Sequence, residues 1–313
     1  MVKEKEVTTV GILHLLIVYL VWGSTYLAIR VGVRSGSGFA PFTFGAMRVI
    51  TAGVFLLLWG KLRGGKWKLS RGDLLTLAGS GLLLWIGGNG LVVWAEQEIE
   101  SGITALILAT VPIWVSLIDA ILDRRPASPR MILALTVGFL GIVVLSVPLL
   151  NSGIQANIGY TGALILASLF WSGGMVLQSR RPTARNLQIS SGYQQLFGGA
   201  GFLILALLFK EPLPQPSPQA WLAFGYLVVF GSLLAFTSFI TVLQLLPTKI
   251  VITYAYVNPV IAVFLGWIIL GEHITWWTVG GAVLVLLGVA GVFRERVRSQ
   301  RKTKSKNRPV VAS

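Results

Sequence analysis

Ten apolar runs, each close to the length of a membrane crossing, constrain this chain more than any other feature. They occupy residues 11–30, 41–60, 73–94, 102–122, 131–149, 159–178, 190–209, 220–240, 248–270 and 276–293. A transmembrane helix takes ~20 mostly apolar residues. The runs therefore predict an all-α integral membrane protein of ten transmembrane helices. Composition agrees: 12% of residues are charged and mean hydropathy is +0.77, whereas a soluble domain carries about 25% charged residues. The 11 tryptophans and 36 glycines suit interface anchoring and close helix contact.

The net charge of +15 does not imply a nucleic-acid partner, because the basic residues fall in short blocks between apolar runs. If the N-terminus is cytoplasmic, the inner segments are 1–10, 61–72, 123–130, 179–189, 241–249 and the tail from Arg294. They hold 22 of the 26 lysines and arginines; Arg30, Arg34, Arg48 and Lys210 are the others. That positive-inside pattern predicts a multi-pass protein of the plasma (inner) membrane with both termini in the cytoplasm. The tail at 294–313 is expected to be a disordered anchor near anionic lipid. The N-terminal apolar stretch lacks a small-residue cleavage site and reads as the first span, not a removed signal peptide. With no cysteine there is no disulfide or thiolate metal site, and neither metal nor cofactor is expected.

An internal repeat refines the architecture. Residues 101–122, SGITALILATVPIWVSLIDAIL, overlie 248–269, TKIVITYAYVNPVIAVFLGWII, at an offset of 147. Pro112 then meets Pro259 and Gly141 meets Gly288; a two-residue slip brings Trp22 over Trp171. The chain thus divides into two five-helix repeats, residues 1–150 and 151–293. An odd number of spans inverts the second copy, and inverted repeats are a recurrent design of secondary transporters, with the site at the repeat interface.

Several stretches carry a family resemblance: VWGSTYLAIRVG in the first run, FGAMRVITAG in the second, AEQEIESGITALILATVPIW across the third and fourth, and TYAYVNPVIAVFLGWIILGE in the ninth. With the two five-span halves, they resemble the EamA family of the drug/metabolite transporter superfamily, in its YedA-like exporter subgroup. The resemblance implies export of small organic metabolites such as amino acids. It also implies helices one to four and six to nine around a cavity, with five and ten packed behind.

Candidate path residues are the polar and aromatic groups inside apolar runs. Arg48 lies about seven residues, or ~10 Å, into the second helix, and an intramembrane arginine is a functional hypothesis by default. It either faces the cavity and holds a substrate carboxylate, or pairs or snorkels structurally; its repeat partner is Gln195. Tyr254 and Asn258 share a face of the ninth helix, where Asn258 either meets substrate or bonds a neighbouring helix. Trp85, Asn89 and Glu96 approximate one stripe of the third helix, and Glu96 can pair with Arg48, face a vestibule and exchange protons, or be solvated. Trp22, Tyr26 and Arg30 form a stripe on the first helix that Trp171, Met175 and Gln178 repeat on the sixth, as a ligand wall or as packing. Pro112 and Pro259 are expected hinges. His14, Asp119, Glu272 and His273 read as terminal groups, although Glu272 beside a helix C-terminus opposes the dipole.

No apolar run has a carboxylate near its centre, so facilitation, exchange and proton coupling through Glu96 stay open. An enzyme is disfavoured: the sequence shows no HExxH, phosphate loop or paired buried acids. A channel is the other rival, and the repeat favours a carrier. The expected partners are a small-molecule substrate and the lipid bilayer, with a monomer favoured.

Overall fold

The computed structural model describes residues 8–124, 128–151, 155–181, 183, 186–246, 248–251 and 253–306. Helices α1 (Thr9–Val33), α2 (Pro41–Leu62), α3 (Arg71–Ala95) and α4 (Ser101–Leu122) are followed by α5 (Pro129–Asn151), α6 (Gln155–Arg180), α7 (Leu187–Leu208) and α8 (Pro218–Leu245). The next helix, α9, comes in pieces, Thr248–Val251, Tyr254–Leu265 and the π-helical Gly266–Leu270; α10 is Trp276–Lys306. Among the described residues the architecture is all-helical. Among those residues seven helices are long and apolar enough to cross a membrane, and three shorter apolar helices lie at 129–145, 257–270 and 276–291.

Local chemistry explains most helix starts. Thr8, Ser70, Asn186 and Ser217 each accept a backbone N–H with the side chain, capping α1, α3, α7 and α8, as short polar side chains do. Neither α2 nor α4 has a side-chain cap of its own, and both receive one from an acid distant in sequence. The last helix runs on through the basic segment to Lys306, so residues 294–306, expected to be disordered, are helical; residues 307–313 lie outside the described chain.

Packing is governed by the small residues. Helices α5 and α10 lie together, and a Cβ placed on Gly288 would come 2.5 Å from the Cα of Gly138. One on Gly141 would come 2.6 Å from the Val285 nitrogen. These backbones touch because neither glycine carries a side chain.

Two helices contain long π-helical stretches, Leu82–Gly90 in α3 and Leu227–Ala235 in α8. Both cover nine residues, and they start at equivalent places 145 residues apart (82 and 227). Such i→i+5 segments concentrate at functional sites and re-aim the side chains beyond them. Helix α4 breaks at Ala109–Thr110, so Pro112 sits in the first turn of a new segment, where its missing N–H costs nothing. Pro259 instead lies inside a helical segment of α9.

Candidate functional site

The π-helical stretch of α3 presents Trp85, Gly88 and Asn89 to an internal cavity of about 70 Å³. Trp22, Thr25, Tyr26 and Ile29 of α1 also line it, with Arg48 of α2, Val92 of α3, Leu108 and Val111 of α4, Trp171 of α6 and Tyr254 of α9. Helices α7 and α8, expected among the lining elements, contribute no lining residue and stand behind the wall.

The floor is aromatic. Trp22 meets Trp171 and Tyr254 edge to face, with centroids 5.4 and 5.5 Å apart, and packs on Phe239 of α8 at 4.7 Å. The Trp171 indole N–H donates to the Tyr254 hydroxyl at 3.2 Å, which in turn points at the Met175 sulfur, 3.5 Å away. This satisfies the polar tips of rings whose bodies are buried.

Arg48 supplies the charge. It is only 3% exposed. Its Nε donates to Ser232 Oγ at 2.9 Å and its Nη1 reaches Asn89 Oδ1 at 3.4 Å. The guanidinium also lies over the Trp85 ring, 5.5 Å from the centroid. Ser232 belongs to the π-helical stretch of α8, and Gly231 beside it leaves room, since a Cβ there would be 3.1 Å from Arg48 Nη2. Among the described residues the only ion pairs join Arg180 to Asp119 and Asp123. Arg48 is thus a buried cation held by neutral oxygens and a ring face, with no carboxylate at ion-pair distance among the described residues.

The other expected path residues sit elsewhere. Gln195 donates to the Ser232 carbonyl at 3.1 Å, which braces the stretch that holds Arg48. Gln178 accepts from Gln194 at 2.7 Å and from Ser80 at 3.3 Å, a knot joining α6, α7 and α3. The Asn258 amide, with its nitrogen facing two carbonyls, donates to Tyr254 and Tyr19, each at 3.2 Å, and ties α9 to α1. All three bond between helices and none lines the cavity.

Glu96 does not pair with Arg48 and is not solvated. It is fully buried, and Arg30 Nη1 donates to its main-chain oxygen at 2.6 Å. Extending an i, i+4, i+11 stripe at 3.6 residues per turn misplaces it, because the intervening i→i+5 turns shift the phase. Ser232 was missed by sequence reasoning; its signal was a Gly–Ser pair of small residues inside an apolar run, like Gly87–Gly88 in α3.

Glu272, which reads as misplaced at its own helix end, caps another helix. Its carboxylate accepts from Ser101 N at 2.8 Å, Ser101 Oγ at 2.7 Å and Gly102 N at 3.0 Å, at the start of α4. Glu211 does the same for α2, accepting from Phe42 N at 2.9 Å, Thr43 N at 2.6 Å and Thr43 Oγ1 at 2.7 Å. Both acids lie at one end of the bundle, which with Glu96 and Glu100 forms its acidic end.

A second, larger groove of about 660 Å³ is bordered by Phe42, Leu82, Ile86, Trp94, Phe170 and Phe209, among others, all apolar. Apart from the Trp94 indole N–H its lining side chains offer no polar group to orient a ligand, whereas convergent polar groups in an apolar wall mark binding sites. The central cavity is therefore the candidate site.

Residues 9–147 and 158–294 each match the EamA-like transporter family. The chain belongs to that family. It is 34% identical over 281 residues to an "uncharacterized inner membrane transporter", YedA, of Escherichia coli K12, covering 86% of this chain and 88% of the relative. Protein PecM of Dickeya dadantii is 26% identical, with 90% and 92% covered. A protein crystal structure at 20% identity superposes with a TM-score of 0.63 over 91% of this chain and 96% of the other; that likeness is one of fold. EamA membership and the apolar helices together make this a multi-pass membrane protein.

Proposed function

We propose that the chain is a secondary transporter of the drug/metabolite type that exports small organic metabolites, amino acids and related amphiphilic compounds above all, across the inner (plasma) membrane. The observation that carries the reading is Arg48, a buried cation in the central cavity with no carboxylate partner among the described residues. Burying a charge is costly unless it is paired and hydrogen-bonded. A substrate carboxylate supplies the missing partner, while Trp22, Trp171 and Tyr254 receive the apolar part. The relatives named as transporters support a transport role.

In this reading the chain makes ten crossings, as two inverted five-helix repeats at 1–150 and 151–293, with both termini in the cytoplasm and the acidic end outside. The paired π-helical stretches in α3 and α8 support the repeat. The cavity of about 70 Å³ is far below the ~300–1,000 Å³ of ligand pockets, and its lining is largely buried. Substrate entry therefore requires the helices to move apart, as alternating access demands, with the break in α4 and Pro259 in α9 as hinges.

Arg48→Gln, which copies Gln195, tests the reading. A hydrogen bond to a charged group is worth ~1.5–3 kcal/mol, so carboxylate substrates should lose about one to two decades of affinity, and neutral analogues little. Binding and counterflow in vesicles measure both. Equal losses for all substrates, together with a lower unfolding temperature, would make Arg48 structural. Overexpression should raise efflux of, or tolerance to, an amino acid or analogue; concentrative uptake alone would reverse the direction.

A further inference from the structure

Where the cavity wall meets the acidic end stands one group without a task in the transport reading. Glu96 stands one turn beyond Val92 of the cavity wall, its N–H donating to the Val92 carbonyl at 2.9 Å. It comes immediately after the apolar span Arg71–Ala95. Its side chain is 0% exposed, and neither carboxylate oxygen has a hydrogen-bond partner among the described residues. A carboxylate in such surroundings takes up a proton instead of staying charged.

The neighbours do not reverse that balance. Arg30 and Tyr26 face Glu96 from α1, Arg48 from α2 and Glu272 from the segment after α9. Arg30 spends a donor on the Glu96 main chain, not on its carboxylate. Burial first, and Glu272 second, push the Glu96 carboxyl well above the usual range, against the opposite pull of Arg30 and Arg48.

We propose that Glu96 is a proton-binding site that ties closure of the acidic end to the uptake of one proton from outer water. When that end is open, Glu96 is a hydrated carboxylate. On closing, one proton from water bonds to one carboxylate oxygen and no other bond changes; reopening returns it to the same side. The closed form binds the extra proton, so closure is favoured at low outer pH. It weakens as pH rises from the ordinary glutamate value of ~4.3 towards the raised value of the closed form. The inference rests on the transport reading for its orientation, but its test needs no substrate.

The absence of cysteine allows a direct measurement. Val92→Cys reports opening of the cavity wall, and Ser35→Cys, in an exposed loop, corrects for thiol reactivity. Intact cells are treated with a membrane-impermeant maleimide from mildly acidic to mildly alkaline outer pH. The ratio of the two signals should rise with pH, by at most about tenfold per unit for one linked proton. Glu96→Gln, neutral and of the same shape, should hold the ratio low at every pH. If that variant is not recovered, Glu96→Leu must give the same low, flat ratio. A flat ratio with Glu96 intact overturns the proposal. A pH response that survives Glu96→Gln also overturns it and assigns the proton to Glu272, Glu100 or His273. Failure of the transport reading would show differently, as absent substrate flux with this titration intact.

Discussion

Helices α7 and α9 finish at a residue with positive φ, Lys210 at 50° and Gly271 at 68°. At the opposite end of the bundle α2 and α4 finish the same way, at Gly64 (80°) and Arg124 (51°). The positions are equivalent in the repeat, 64 with 210 and 124 with 271, so one backbone device closes all four helices. The residues just after it differ between the two ends. At the acidic end they are Glu211 and Glu272, which reach across to the uncapped starts of α2 and α4. At the basic end they are Gly65 and Arg125; Arg125 lies outside the described chain. Gly65 sits beside Asn186, and Asn186 caps its own helix α7.

The difference teaches how a repeated backbone acquires two unlike ends. The first N–H groups of a helix lack intrahelical partners and carry a partial positive charge, so an anion there is stabilising. When the anion belongs to the same helix, the cap survives any rigid motion. When it belongs to another helix, moving the two apart removes the cap. The acidic end is fastened in this second way, and two backbone links between its loops add to it, Gln215 N to Gly38 O and Ser217 N to Ser37 O, each 2.9 Å.

The largest test exchanges the residues between the ends. Glu272→Arg copies Arg125 and puts a cation where Ser101 and Gly102 point their N–H groups. Losing a charge-assisted bond costs ~1.5–3 kcal/mol and repulsion adds to it, so outside labelling of Val92→Cys should rise by about two decades. Unchanged labelling would mean that Glu272 caps α4 without fastening the acidic end.

Glu211→Gly copies Gly65 and should do less, because it removes the α2 cap without adding a cation. A lost N-cap costs ~0.5–2 kcal/mol, or about one decade in labelling. The unfolding temperature in detergent should fall with it. A fall in stability with no change in labelling would separate the two acids and leave Glu272 alone as the fastening.

The sequence carried the large features and lost the contacts between distant positions. Apolar runs are set by bilayer thickness, and among the described residues each run falls, to within a residue, inside a helix or a broken helix of the fold. The family resemblance, not a residue pattern, implied that the fifth and tenth helices pack together, and Gly138, Gly141 and Gly288 are where their backbones meet. Arg48 and Trp85 stood out as candidates because a cation and a large ring inside an apolar run have few uses, and both line the central cavity. Glu272 was not, since it acts on Ser101, 171 positions earlier, and local helix rules see only its own helix end. Gln178, Gln195 and Asn258 looked like path residues because an amide shows its polarity in sequence but not its partner. Glu96 was displaced by a π-helical stretch that a 3.6-residue period cannot register.

The smallest test lies at the basic end, where the link between α6 and α4 is an ion pair. Arg180 Nη2 is 2.9 Å from Asp119 and 2.9 Å from Asp123, with side chains 39%, 24% and 45% exposed. One guanidinium nitrogen serves both acids, and water competes for all three groups. Exposed pairs contribute ~0.2–1 kcal/mol and are screened by salt. Arg180→Ala should therefore lower the unfolding temperature by no more than a few degrees, with the difference shrinking as salt is added. It should leave outside labelling of Val92→Cys unchanged, because the floor of the cavity is held by Trp22, Trp171, Phe239 and Tyr254 and not by this pair. An effect as large as that of Glu272→Arg would put the stronger fastening at the basic end and reverse the asymmetry. A small effect would leave the basic end free to part first, the order that the proposed export requires if that end faces the cytoplasm.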